Sequence, residues 1–340
     1  MKTVLLAAAM VVLALAPADT QVARMPVIDM HMHAMRADAQ GPPPLGMCTP
    51  IAEFPAWDPA RPYGETFLAI FKKPSCPDPV WSPATDQQLR DETIAAARRW
   101  NVTGMLSGPP DLVDAWTQAA PGVFLPGYAL DIGERGGPSF TELRARHTDG
   151  RLRVLAEVAT QYAGTAPDDA RLEPYWALAE ELDVPVGIHI GPGPPGVIYL
   201  GARGYRAALH SALTLETVLV KHPKLRVYVM HAGFPMLDDM LAVLYAHPQV
   251  YVDTGVIVFT QPRPAFYRYL QALVEAGFGK RVMFGSDQMV WPGVIERSIA
   301  VIIEAPFLTA SQKRDILYDN AARFLRLSSD EIDRHRAAAK

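Results

Sequence analysis

The sequence predicts an α/β fold, specifically a (β/α)8 TIM barrel with one long insertion after its first strand. Three observations carry that expectation. Eight short segments are rich in Val, Ile and Leu and are continuously apolar rather than alternating, as strands buried on both faces are. Stretches with helical patterning separate them. Eight such units fit the 340-residue chain once its ends and one long loop are set aside. An open doubly wound sheet is the other architecture for this pattern. It lacks support, because no G-x-G-x-x-G follows the first strand.

The chain opens with Lys2, an uncharged apolar run from Val4 to Ala16, and the triplet Ala16-Pro17-Ala18. The run is too short to span a bilayer, and the triplet fits an A-x-A cleavage site. Residues 1–18 are therefore expected to be a signal peptide, with a cut after Ala23 as the other position. Residues 19–340 are expected to form a single domain, exported to the periplasm or the medium. An uncleaved anchor is the competing reading.

Strand one runs over 27–33, and the Pro-rich insertion 34–85 follows. Cys48 and Cys76, the only cysteines, both fall in it. In an oxidising compartment they can close a disulfide; two buried thiols are the alternative. Asp86 is placed to cap a helix reaching Trp100. Next come strand 102–106, helix 111–119, strand 123–129, helix 139–146, strand 153–159, helix 172–182 and strand 185–190. Helix 206–221, strand 225–230, helix 236–246, strand 250–253, helix 265–276 and strand 281–284 follow. A helical tail covers 311–325.

A barrel of this kind carries its chemistry at the C-terminal ends of its strands. His31 and His33 end strand one, and their i, i+2 spacing sends both to one side. His189 ends strand five, His231 ends strand six, and Asp287 follows strand eight. Imidazoles with one carboxylate suit a single divalent cation, with Zn2+ the expected ion. The remaining histidines, His147, His210, His222, His247 and His335, lie in or after helices, where solvated or capping roles are expected.

The matching segments are Ile28-Asp29-Met30-His31-Met32-His33, Gly187-Ile188-His189, Met230-His231-Ala232-Gly233, Val250-Tyr251-Val252-Asp253-Thr254, Phe284-Gly285-Ser286-Asp287 and Asn320-Ala321-Ala322-Arg323-Phe324-Leu325. On these, the chain resembles the amidohydrolase superfamily, in its amidohydrolase-related (type 2) branch of metal-dependent hydrolases and non-oxidative decarboxylases. The resemblance implies that His31, His33, His189 and Asp287 bind one metal ion, with His231 beside it. Two-metal relatives often carry a carboxylated lysine at the end of strand four. Here that strand, Arg153 to Gln161, has no Lys, so a binuclear site built on one is excluded. Glu157 lies there instead, as an additional ligand or as a side chain that orients substrate.

The expected chemistry is hydrolysis of a small-molecule amide, ester or lactone by metal-activated water. Asp287 would accept and return the proton, and His231 would stabilise the oxyanion. Decarboxylation of an aromatic or enoic acid is the alternative. A catalytically silent binding protein on the same scaffold is a third, which the intact His/His/His/Asp set opposes. Arg203 and Arg206 are candidates for pairing a substrate carboxylate, or else surface ions. Trp291 is a candidate pocket wall, or else packing. The nearly balanced charge, formally −4, offers no basic face for nucleic acid. The expected partner is a small-molecule substrate, with no membrane anchor after cleavage; homo-oligomerisation is left open.

Overall fold

A computed structural model describes residues 25–132 and 137–338. The expected signal segment lies outside them. Among the described residues, ten strands form in chain order: β1 (Val27–His33), β2 (Gly46–Met47), β3 (Val80–Trp81), β4 (Val102–Ser107), β5 (Phe124–Pro126), β6 (Leu155–Val158), β7 (Val186–His189), β8 (Val227–Met230), β9 (Val250–Asp253) and β10 (Val282–Met283). All eight expected strands are present; β2 and β3 are an antiparallel pair inside the insertion.

The parallel strands make two ladders, β1–β4–β5 and β10–β9–β8–β7–β6. Backbone hydrogen bonds cross both gaps. Tyr128 N donates to Val154 O (3.1 Å) and Leu130 N to Glu157 O (2.9 Å), joining β5 to β6. Met30 N donates to Phe284 O (2.9 Å) and Asp287 N to His31 O (2.7 Å), joining β10 to β1. Buried on both faces, the strands divide their side chains between two clusters. Val186, Ile188, Val227, Val229, Val250 and Val252 pack with helical Trp176, Leu244 and Phe266. Ile28, Met30, Met105, Val154, Tyr228 and Met230 form the second cluster, completed by Tyr318 and Phe324 from the tail. Arg226, just before β8, donates to Phe324 O (2.6 Å), so the tail closes the N-terminal end of the ring.

Several helix expectations are corrected. Thr85, not Asp86, caps Asp86–Arg99 through Gln88 N; the Asp86 carboxylate instead accepts from Ala37 N at 2.7 Å. The expected helix 206–221 breaks into 3₁₀ turns, Ala207–His210 and Ala212–Leu215, before an α-helix at Glu216–Lys221. Ser211 is extended there and accepts from Leu213 N, a local bond that competes with helical pairing. The tail holds a π turn, Asp315–Asp319, between helices Ala310–Arg314 and Asn320–Leu325. Among the described residues, four α-helices were not foreseen: Tyr63–Lys72, Ile257–Thr260, Val294–Glu304 and Ser329–Ala338.

The insertion is ordered around the Cys48–Cys76 disulfide and helix Tyr63–Lys72. It is fastened to loops that follow β7, β9 and β10. Tyr63 OH donates to Pro195 O (2.7 Å), Ile51 N to Thr260 O (3.0 Å) and Trp291 Nε1 to Leu45 O (2.9 Å). Those loops leave the C-terminal strand ends, so the insertion rides on that face of the barrel.

Candidate metal centre

His31, His33, Glu157, His189, His231 and Asp287 converge at the C-terminal end of the ring. Strict alternation would not achieve this. In β1, Ile28 and Met30 belong to the inner cluster, while Met32 packs with the outer one. The β1–β4 register shifts between Asp29 and Met32, and that shift turns His31 and His33 inward. β6 repeats the device. Val154 and Ala156 sit inside and Val158 outside, with a register shift between Leu155 and Val158 that turns Glu157 in. Such irregularities re-aim side chains next to active sites.

The ligand atoms lie close together. His33 Nε2 is 3.0 Å from Asp287 Oδ1 and 3.4 Å from Glu157 Oε2. His31 Nε2 is 3.8 Å from Asp287 Oδ1 and 3.9 Å from Glu157 Oε2, and His189 Nε2 is 3.9 Å from Glu157 Oε1. Among the described residues, three overlapping trios have all ligand atoms within 4.8 Å of one another: His31/His231/Asp287, His31/His33/Glu157 and Glu157/His189/His231.

The surroundings fix the tautomers. His31 Nδ1 donates to Asp253 Oδ2 (3.0 Å), His189 Nδ1 to Gln161 Oε1 (2.9 Å) and His231 Nδ1 to Gly255 O (2.9 Å). Gln161 can only face that way, because its Nε2 donates to Gly191 O (3.1 Å). Each neutral ring therefore presents a lone pair at Nε2, as metal-ligating histidines do. Nε2 of His31 and Oδ1 of Asp287 are buried with no hydrogen bond among the described residues. Buried polar atoms without partners are rare, and a cation between them would satisfy both.

Backbone geometry holds the groups in place. His231 (φ 62°) and Asp287 (φ 54°) take left-handed conformations that cost side-chain-bearing residues free energy. Asp29 Oδ1 accepts from His31 N (3.0 Å) and Ser286 N (2.9 Å), tying β1 to the segment that carries Asp287. Asp253 Oδ1 accepts from His231 N and Gly255 N, both at 2.9 Å. Gly255 is required by close approach: a Cβ there would sit 2.4 Å from His31 Nδ1.

The charges call for a positive centre. Burial pulls the His31 pKa down, but Asp287, Asp253 and Glu157 outweigh it and push it up to about 10. Burial would raise Asp287, yet His31, His33 and His231 hold it well below the usual carboxylate range. A proton on His31 thus stands where a cation would serve the same carboxylates. His189 is driven well below its ordinary range by burial and by the neighbouring His231 and His31, which favours its neutral form.

Three sequence candidates are not part of this cluster. Arg203 and Arg206 are exposed, and the Arg206 guanidinium braces its own loop by donating to Arg203 O and Tyr205 O, both at 2.8 Å. Trp291 is 1% exposed, stacks near Phe71 and spends its N–H on Leu45, so it packs beneath the insertion. Two helix-associated histidines also depart from expectation. His210 is buried 2.6 Å from Tyr205 OH, and His222 is buried between Glu173 and Glu180, each at 3.1 Å. Sequence reasoning assigned no role to Asp253, Gln161, Tyr162 or Gln288. Gln288 clamps the His33 backbone, accepting from its N–H (3.0 Å) and donating to its C=O (2.7 Å). Asp253 ends a strand, the same signal that marked His189, and could have been found.

A parallel α/β ring with imidazoles and carboxylates at its C-terminal mouth defines the class of TIM-barrel proteins with a candidate metal site. A family model described as Amidohydrolase matches residues 28–327, and the chain belongs to that family. Comparison with curated proteins finds no match. Among solved structures, the fold is similar to an uncharacterized TIM-barrel protein from Bordetella bronchiseptica (18% identity, TM-score 0.58, covering 89% of this chain and 99% of that one). It is also similar to a probable 2-pyrone-4,6-dicarboxylic acid hydrolase from Acinetobacter baumannii with citric acid bound (14%, 0.55, 89% and 100%). A third is 5-carboxyvanillate decarboxylase from Sphingomonas paucimobilis (14%, 0.54, 89% and 100%).

Proposed function

We propose that the protein is a hydrolase of a small-molecule amide, ester or lactone, dependent on one divalent ion, taken as zinc. The single observation that carries this is the buried pair His31 Nε2 and Asp287 Oδ1, 3.8 Å apart, neither of which has a well-aligned hydrogen bond among the described residues, with His33 Nε2 3.0 Å from the same oxygen. His31, His33, His189 and Asp287 would hold the ion, and Glu157 offers a further oxygen. Such an ion supplies a Lewis acid and brings the pKa of water to about 7.

The chain's own residues do the rest. Asp287 accepts the proton of the attacking water and returns it to the leaving group. The tautomer of His231 refines its expected role: in the neutral form it offers a lone pair, so it donates to an oxyanion only after taking up a proton. Asp253 and Gln161 hold His31 and His189 in ligand orientation. A carboxylate free to accept is what hydrolysis needs from this site, whereas decarboxylation needs a proton donor for the carbanion. The reading is tested with a panel of lactones, esters, amides and aromatic acids in which acid production and CO2 release are scored separately. Water-dependent cleavage is expected; CO2 release without cleavage would replace hydrolysis by decarboxylation.

A further inference from the structure

Tyr162 lies in the 3₁₀ turn Thr160–Ala163 that follows β6. Its hydroxyl is 3.1 Å from His189 Nε2. Because His189 Nδ1 already donates to Gln161, Nε2 carries the lone pair and the phenol O–H is the donor. The ring itself is confined. Its centroid is 4.7 Å from that of His189 and 5.6 Å from that of Tyr205. Gly193 backs it so closely that a Cβ would lie 2.9 Å from the ring edge. The hydroxyl hydrogen is the part left free to turn.

The donors of the site can be counted. Of the four imidazoles, His31, His189 and His231 spend their N–H groups outward, on Asp253, Gln161 and Gly255, and His33 turns its Nε2 toward Asp287 and Glu157. Carboxylates such as those of Glu157 and Asp287 only accept. Hydrolysis at a carbonyl requires a donor where negative charge develops on oxygen. We propose that Tyr162 donates its hydrogen bond to the reacting oxygen of the substrate, and that its hydrogen is kept on the His189 Nε2 lone pair until His189 gives that lone pair to the ion. This rests on the metal-centre reading above. No covalent bond of Tyr162 forms or breaks; its O–H exchanges one acceptor for another.

The test uses calorimetric titration of metal-free protein with zinc, then of zinc-loaded protein with acetate as a simple oxyanion, in wild type, Tyr162→Phe and His189→Ala. Phenylalanine keeps the packed ring and removes only the hydroxyl. Without the competing hydrogen bond, Tyr162→Phe should bind zinc about three- to tenfold more tightly. Without the donor, it should bind acetate about tenfold or more weakly, as expected for a hydrogen bond to a charged acceptor. Changes of opposite sign cannot come from a merely loosened fold. Zinc and acetate affinities both equal to the parent's, or both weaker, would overturn the proposal. If wild type binds one zinc that His189→Ala loses while Tyr162→Phe matches wild type, the tyrosine role alone fails. If folded wild type binds no zinc, the metal-centre reading fails and this inference with it.

Discussion

At the scale of single residues, Asp253 and Asp287 divide the carboxylate work. Asp253 is fully buried and gives its two oxygens to His31 Nδ1 and to the His231 and Gly255 amides. Asp287 instead keeps Oδ1 free of hydrogen bonds among the described residues. Asp287→Asn preserves shape and a ligating oxygen but removes the base, so it should keep its zinc while turnover falls by about 10²–10⁴-fold. Metal analysis beside steady-state rates on the best substrate of the panel checks this; an Asn variant with both zinc and parental turnover would pass the proton role to His231. The histidines and Asp287 were legible in the sequence because each stands at or just past a strand end. Tyr162 and Gln161 were not, because turn residues announce themselves by no periodicity. Arg206 and Trp291 were left between two readings for a related reason: a position on a rim loop does not say which way the side chain points.

At the scale of elements, two register shifts and one broken helix shape the site. Ideal alternation in β1 would carry the parity of Ile28 and Met30 to Met32, away from the histidines; the shifted register gives the site to His31 and His33. Sequence periodicity located these strands but not their irregularities, since a bulge depends on the partner strand. The break at Ser211 places His210 beneath Tyr205, whose hydroxyl also accepts from Gly193 N (2.8 Å) and donates to Gly191 O (2.9 Å). Burial lowers the His210 pKa, only partly offset by the Phe234 backbone, and His231 lowers it further. The unfolded chain therefore binds this proton at a higher pH than the folded chain does. The associated stability is complete above the unfolded value of 6.5 and is lost as pH falls through the lower folded value. Metal-free His210→Gln should thus lose less thermal stability than metal-free wild type on acidification from about pH 7.5 to 5. Parallel melting-temperature profiles would contradict this. In the insertion, closing a loop of sequence separation 28 should contribute about 3–4 kcal/mol in the chain-entropy model. The Cys48→Ser, Cys76→Ser double variant should show lower stability and faster hydrogen exchange across 49–75. Unchanged exchange there would mean that the contacts of Tyr63, Ile51 and Trp291 alone fix the roof.

At the scale of the whole molecule, the barrel and its metal-type mouth were readable from eight apolar segments and the groups at their ends. The roof was not. The insertion looked aperiodic, yet it contains a helix and an antiparallel pair, held by tertiary contacts and a disulfide rather than by a repeating pattern. Ring and roof together enclose one concentration of imidazoles and carboxylates whose charges favour a cation. The most direct measurement is metal content per chain in protein reconstituted with zinc and then desalted, for wild type and for His189→Ala. About one zinc per chain in wild type, falling to near zero in the variant, is the predicted result for a site of this ligand set. Folded wild type without zinc, or His189→Ala that retains it in full, would contradict the metal centre proposed here.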